Sequence, residues 1–175
     1  WKWQRPNLFG TTEDLFTQTI VVPYLIPMLQ NAGAIVFTPR ERDWQKHEVI
    51  VDNDDAVKRP YYVETVNGKK WKDCDSIGFA ARRRYYEDNQ NPFTDGTVRK
   101  AKATKKKNHS EISYQPDLPE AGKYAVYVSY QSLPKSVTDA KYIVYHKGEA
   151  TEFSVNQRMG GGTWVYLGTF EFDKG

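Results

Sequence analysis

Tyr124-Ala125-Val126-Tyr127-Val128-Ser129-Tyr130, Ala140-Lys141-Tyr142-Ile143-Val144-Tyr145-His146, Thr151-Glu152-Phe153-Ser154-Val155-Asn156 and Thr163-Trp164-Val165-Tyr166-Leu167-Gly168-Thr169-Phe170 follow one another in the last third of the chain. Each alternates β-branched or aromatic side chains with smaller or polar ones, the period of a half-buried strand. Lys147-Gly148 and Gly160-Gly161-Gly162 supply the residues that tight turns need between such strands. Short alternating strands with tight turns predict an antiparallel sandwich or jelly roll, not a parallel sheet.

Upstream the pattern changes character. Period-two alternation begins near Val57, and the stretch Asp88 to Asn108, with no long apolar run, is expected to be a loop or excursion on the same domain. Before it, Thr11 with Asp14 three positions later resembles a capping box, and Glu13 and Asp14 place negative charge on a helix N-terminus. Leu15, Val22, Ile26 and Leu29 mark one helical face, and Asn31-Ala32-Gly33 is the stop. Pro23 and Pro27 each remove a helix hydrogen bond, so a kink or break is expected near Pro23. Ala34-Ile35-Val36-Phe37, closed by Pro39, reads as a short buried strand. The expected architecture is therefore α+β: a mainly antiparallel, jelly-roll-like β-sandwich over residues 54–175, preceded by a helix-strand segment over residues 1–53.

Composition agrees with this and narrows the function classes. The 175 residues suit one ordinary domain, or a small domain with part of another; 39% are hydrophobic and 14% aromatic, too many for a disordered chain. No apolar run approaches the roughly 18 residues of a membrane span. The net charge is +3, but Arg99 to Lys107 alone holds six cations, so the remainder is acidic and the basicity is local. Neither that tract nor Arg82-Arg83-Arg84-Tyr85-Tyr86 has the pattern of a nucleic-acid fold, and no nucleic-acid partner is expected. Both could attract an acidic glycan, although a solvated loop explains them too. The single cysteine, Cys74, can form neither an internal disulfide nor a cysteine-based metal site. The chain opens Trp1-Lys2-Trp3, with neither initiator Met nor leader, which predicts a piece of a longer or processed protein.

The order G-x-Y-x-V-Y-V (Gly122 to Val128), A-x-Y-x-V-x-H (Ala140 to His146), V-N-Q (Val155 to Gln157) and G-x-W-V-x-L-G-x-F-x-F (Gly162 to Phe172) resembles the golvesin C-terminal-like domain. That resemblance implies a β-sandwich module of bacterial multidomain proteins, some labelled xanthan lyases and others flavin-dependent oxidoreductases. It also implies further strand sequence after the F-x-F-x-x-G stretch. The N-terminal part is similar to one stretch of the zinc-dependent N-acetylmuramoyl-L-alanine amidases, with Glu13 at the glutamate before the helix and Arg40-Glu41-Arg42-Asp43 as R-x-x-D. The likeness implies Glu13 as an inherited zinc-ligand position. Such enzymes also need two histidine ligands and a second carboxylate, and no G-H-G precedes Glu13 here. No cofactor is therefore expected in this chain, with zinc reserved for an intact parent, and no residue is assigned a catalytic role.

Other candidates carry plain alternatives. His47, His109 and His146 stand in separate contexts without metal-ligand spacing; His146, at a strand end, reads as a hydrogen-bonded structural histidine. Glu48 to Asp55 offers hard oxygen ligands suited to calcium, while a turn stabilised by Asx side chains explains the same residues. Trp164, Tyr127, Tyr142, Tyr145 and Tyr166 are candidates for sugar stacking, and strand alternation requires about half of them to be core. Trp164, Tyr145 and Tyr166 are the ligand-binding candidates retained. The combined expectation is a non-catalytic accessory module of a bacterial periplasmic, surface or secreted hydrolase, placing it on peptidoglycan or another polysaccharide and packing beside the rest of its parent. The enzyme alternatives are amide hydrolysis by a zinc amidase and, ranked last, polysaccharide lysis.

Overall fold

The computed structural model describes residues 17, 19–36, 46–55, 60–80, 90–104 and 109–175. The chain divides into two compact units, Trp1–Lys46 with Arg83–Asn91 and His47–Arg82 with Pro92–Gly175.

In the first unit a π-helical turn, Val21–Leu25, runs directly into helix α1, Ile26–Asn31. The two prolines explain the wide turn. Pro27 has no N–H to give the carbonyl four residues back, and the Ile26 N–H bonds to the Val21 carbonyl, five residues back. Pro27 then sits in the first turn of α1, where a missing N–H costs nothing. Gly33, at φ 87°, ends the helix, with the Ala34 N–H reaching the Leu29 carbonyl at 2.9 Å. The expected helix, break and stop are thus present. Of the expected apolar face, Ile26 is buried while Val22 and Leu29 are exposed; Leu15 and the cap residues Thr11, Glu13 and Asp14 lie outside the described residues. Of the expected strand, the described residues Ala34 to Val36 are irregular and Ile35 is 85% exposed. Ala34 to Val36 pair with no strand among the described residues, and Phe37 lies outside them.

The second unit is built of antiparallel pairs. Strands β1 (Tyr62–Thr65), β2 (Lys72–Gly78), β3 (Gly96–Lys100) and β4 (Glu111–Tyr114) pair as β1 with β4 and β2 with β3. Strands β5 (Gly122–Val128), β6 (Ala140–His146), β7 (Glu149–Val155) and β8 (Val165–Phe172) pair as β6 with β7 and β5 with β8. The β6–β7 hairpin closes through Lys147 and Gly148, both at positive φ (43° and 78°), the twist that a two-residue hairpin requires. Alternation decides the faces. Tyr142, Val144 and His146 of β6 and Phe153 of β7 point inward against Phe170 of β8, whose ring lies 4.7 Å from His146 and 6.0 Å from Phe153. Tyr124 of β5 meets Phe172 edge-on at 6.2 Å. The contacts of Phe170 with His146 and Phe153 join the two pairs and form the sandwich interior. Val144 is buried there, a contribution of about 2 kcal/mol by area.

A second apolar centre joins the lower-numbered strands to the approach to β8. Phe79, after β2, and Phe93, in the 3-10 turn Pro92–Thr94, are buried and 5.3 Å apart, and Trp164 meets both, tilted against Phe79 at 4.7 Å and edge-on to Phe93 at 5.7 Å.

Two expectations are corrected. Gly160-Gly161-Gly162 is not a hairpin turn, because β7 and β8 do not pair; it crosses from one strand pair to the other. Gly161 is required there by proximity: a Cβ would collide with the backbone nitrogen of Ser132. The Asp88 to Asn108 stretch is not one loop, since it contains the Pro92–Thr94 turn and β3. Strand β3 has a single large apolar residue, Val98, and is held by polar partners instead.

Candidate functional site

The outward face of the β6–β7 hairpin follows from its register. Lys141, Ile143 and Tyr145 stand opposite Ser154, Glu152 and Ala150. Tyr145 is 71% exposed, beside the small Ala150 and the half-uncovered Ile143. On the same face Lys141 Nζ pairs with Glu152 Oε2 at 2.6 Å, both side chains open to solvent. This face offers one exposed aromatic ring with polar groups beside it, a combination on which a sugar ring can lie.

Tyr166 belongs to the outward face of the other pair, opposite Tyr127 across β5–β8, with ring centroids 5.3 Å apart. Its hydroxyl hydrogen-bonds the Thr169 hydroxyl at 2.8 Å and it is 37% exposed. Tyr145 and Tyr166 are thus on different strand pairs. Trp164 is half-buried between Phe79 and Phe93, so much of its ring is taken by its neighbours. Tyr142 points inward, accepts a hydrogen bond from Gln157 Nε2 at 2.8 Å, and has its phenol pKa raised by burial. Glu13, Arg40 and Asp43 lie outside the described residues, as do Arg82 to Tyr86.

The histidines serve separate places. His146 Nε2 lies 2.9 Å from the Thr151 hydroxyl and its ring packs on Phe170, a structural setting. His47 Nε2 is 3.3 Å from Glu120, and His109 Nε2 is 2.8 Å from Glu111 at the surface. Among the described residues no group of three or more His, Cys, Asp or Glu side chains converges as a metal site. The acidic residues after Glu48 form a knotted turn. Asp52 Oδ1 accepts from the Asp54 N–H (2.8 Å), Asp55 Oδ2 accepts from the Asp52 N–H (2.7 Å), and Asp54 takes both the backbone N–H and the hydroxyl of Thr97 (2.6 and 2.7 Å). The turn therefore fastens the start of β3. Burial, with the neighbouring charges of Asp54 and Asp55, pushes the Asp52 carboxyl up to about 6 against the bonds it accepts.

Sequence reasoning missed the principal ionic node. Arg99, read as part of a basic tract, bonds through Nε and Nη2 to both oxygens of Glu64 and through Nη1 to Asp73. Tyr62, buried, donates its hydroxyl proton to the same Glu64 at 2.7 Å, and burial with that bond holds its phenol far above the usual range. Also missed was the stitching of the two loops flanking the hairpin. Tyr130 donates to the Met159 carbonyl at 2.9 Å, the Gly162 N–H to the Tyr130 carbonyl at 2.8 Å, and the Gly161 N–H to the Ser132 hydroxyl at 3.0 Å.

Residues 49–175, the whole sandwich with the acidic turn ahead of it, match the Golvesin C-terminal domain. The chain belongs to that family. A xanthan lyase of Bacillus sp. (strain GL1) is 35% identical to it over 66 residues, 38% of this chain and 7% of that protein. The solved structure of a Paenibacillus xanthan lyase superimposes with a TM-score of 0.55 at 26% identity, over 73% of this chain and 10% of the lyase. This golvesin C-terminal domain thus spans a tenth or less of the length of the relatives it matches. No described helix is long and apolar enough to cross a membrane.

Proposed function

We propose that this golvesin C-terminal domain is a non-catalytic accessory module of a secreted or surface-held bacterial protein that acts on polysaccharide, and that it holds the parent on its glycan. The observation that carries the reading is the exposed Tyr145 on the outer face of the β6–β7 hairpin, with the Lys141–Glu152 pair on the same face. A pyranose presents an apolar face of C–H groups that an aromatic ring desolvates, while its hydroxyls take hydrogen bonds from polar neighbours. The likeness of this chain to two xanthan lyases supports polysaccharide as the class of target. A peptidoglycan hydrolase as parent is the finer form of the proposal; it leans on the amidase likeness of residues 1–53, whose key positions Glu13, Arg40 and Asp43 lie outside the described residues.

Affinity electrophoresis of the purified chain through gels containing xanthan, and pull-down on insoluble peptidoglycan, test the proposal. Retardation by xanthan that Tyr145→Ala abolishes supports the polysaccharide reading, and retention on peptidoglycan supports the finer one. Free migration of the wild-type chain in every glycan would overturn both.

A further inference from the structure

The two described arginines of the β unit are used in opposite ways. Arg99 spends Nε, Nη1 and Nη2 on Glu64 and Asp73. Arg158, exposed in the connection from β7 to β8, spends only Nε, on the Ser136 carbonyl at 2.8 Å. Its Nη1 and Nη2 have no partner among the described residues, yet the side chain is not loosely placed. Its backbone N–H is bonded to Asn156 Oδ1 at 3.1 Å, and the preceding Gln157 N–H to the Val137 carbonyl at 3.0 Å. The following residue, Met159, has its carbonyl bound by Tyr130. The guanidinium is thus anchored at its inner edge, with its outer fork free.

A fork of two parallel N–H donors matches an oxyanion with two oxygens, and a fork ordered beforehand loses little entropy on binding. The surrounding charge agrees in sign. Loops 129–139 and 156–164 carry Lys135, next to Ser136, and Arg158 against the single acid Asp139. We infer that Arg158 is an oxyanion-recognising residue that presents Nη1 and Nη2 to a carboxylate or sulfate group on a glycan. The inference rests on the polysaccharide reading above and deepens it, by making the target an acidic glycan.

Calorimetry on the whole chain tests it with three oligosaccharides of equal length: an oligogalacturonate, a sulfated galactan fragment and a neutral cello-oligosaccharide. The expected result is at least tenfold tighter binding of one or both acidic ligands at about 0.1 M salt, falling steeply at 0.5 M. Whichever acidic ligand leads identifies the oxyanion. Arg158→Lys, which keeps the charge and loses the fork, and Arg158→Gln should each remove most of that preference. Equal binding of acidic and neutral ligands by the wild type, or a preference that survives both substitutions, overturns the inference and leaves the polysaccharide reading standing. Absence of binding to all three, with free migration in xanthan and no retention on peptidoglycan, ends both. Should either variant melt lower than the wild type through loss of the Ser136 bond, the wild-type preference and its salt dependence decide the matter.

Discussion

Arg99 grips Glu64 through two parallel hydrogen bonds, Nε to Oε1 at 2.6 Å and Nη2 to Oε2 at 2.9 Å, and so fastens β3 to β1, a strand with which it shares no backbone pairing. Both side chains are about four-fifths covered. Removing one partner strands the other charge away from water. Arg99→Met is therefore expected to destabilise the domain by about 2–4 kcal/mol, and Arg99→Lys by a little less, since an ammonium cannot reproduce the fork. Urea denaturation followed by tryptophan fluorescence measures both. A loss below 0.5 kcal/mol for Arg99→Met would show that the node is ornamental.

Asp52 makes stability depend on pH in an unusual direction. Its folded carboxyl titrates at about 6, above the ordinary value of 3.8, so its proton is held more tightly folded than unfolded. The stabilisation is complete below about pH 4 and is lost as pH rises through 6. Asp52→Asn keeps an Oδ1 acceptor for the Asp54 N–H and removes the buried charge. The variant should be more stable than the wild type at pH 8 by on the order of 1–2 kcal/mol, and the difference should vanish near pH 4. Melting temperatures of both proteins at pH 4, 6 and 8 supply the comparison; a difference independent of pH would refute the assignment.

Tyr145 and Trp164 separate binding from folding. Tyr145→Ala removes an exposed ring and should leave stability within about 0.5 kcal/mol while abolishing glycan retention. Trp164→Ala empties the space between Phe79 and Phe93 and is expected to cost about 3 kcal/mol. Thermal melts paired with affinity gels read both properties at once. The opposite pattern, a stable Trp164 variant that no longer binds, would move the contact surface to the β8 approach.

Gly161 and Gly148 are demanding for different reasons. A methyl at Gly161 has to displace the backbone of Ser132, whereas one at Gly148 meets open space and suffers only from its φ of 78°. Gly161→Ala should cost about 2–3 kcal/mol and Gly148→Ala about 1 kcal/mol. Equal losses in a denaturation experiment would contradict the close approach.

Cys74 offers a chemical check on β2 and β3. Partial burial opposes its thiolate, but bonds from Ser76 and the Lys100 ammonium outweigh that and lower the thiol pKa. Alkylation by iodoacetamide at pH 7.5 should outpace that of a free cysteine, and Lys100→Met should slow it. A rate no faster than free cysteine would exclude the contact.

What the sequence discloses and what it hides follow from the kind of force involved. Strand β6 and the Lys147-Gly148 turn were legible because period-two alternation and positive-φ residues are written in adjacent letters. The same alternation puts Tyr142 and Tyr145 on opposite faces, and the structure decides that Tyr145 is the outward one. Strand β3 was hidden because Thr97 and Arg99 are held by Asp54 and Glu64, residues distant in sequence, so no apolar rhythm announces it. The pairing of β8 with β5 was hidden because neighbouring strands pair by default, and a glycine triplet reads as a turn whether it reverses the chain or crosses over. One signal was available and unread. In β8 the inward residues Val165 and Leu167 are two apart, but Leu167 and Phe170 are three apart, which is the bulge opposite Val126 and Tyr127.

The crossover at Gly160 to Gly162 also orders events in time. The β6–β7 hairpin closes over two turn residues, a local step that needs little loop entropy. Pairing β5 with β8 brings Gly122 to Phe172 and has to enclose the finished hairpin, so it carries a far larger loop-closure cost. High contact order of this kind slows folding, and β5, with β8 still unmade, offers a bare edge to other chains. During synthesis β8 leaves the ribosome after β5, β6 and β7, so the β5–β8 pair can close only once residues 165–172 have emerged.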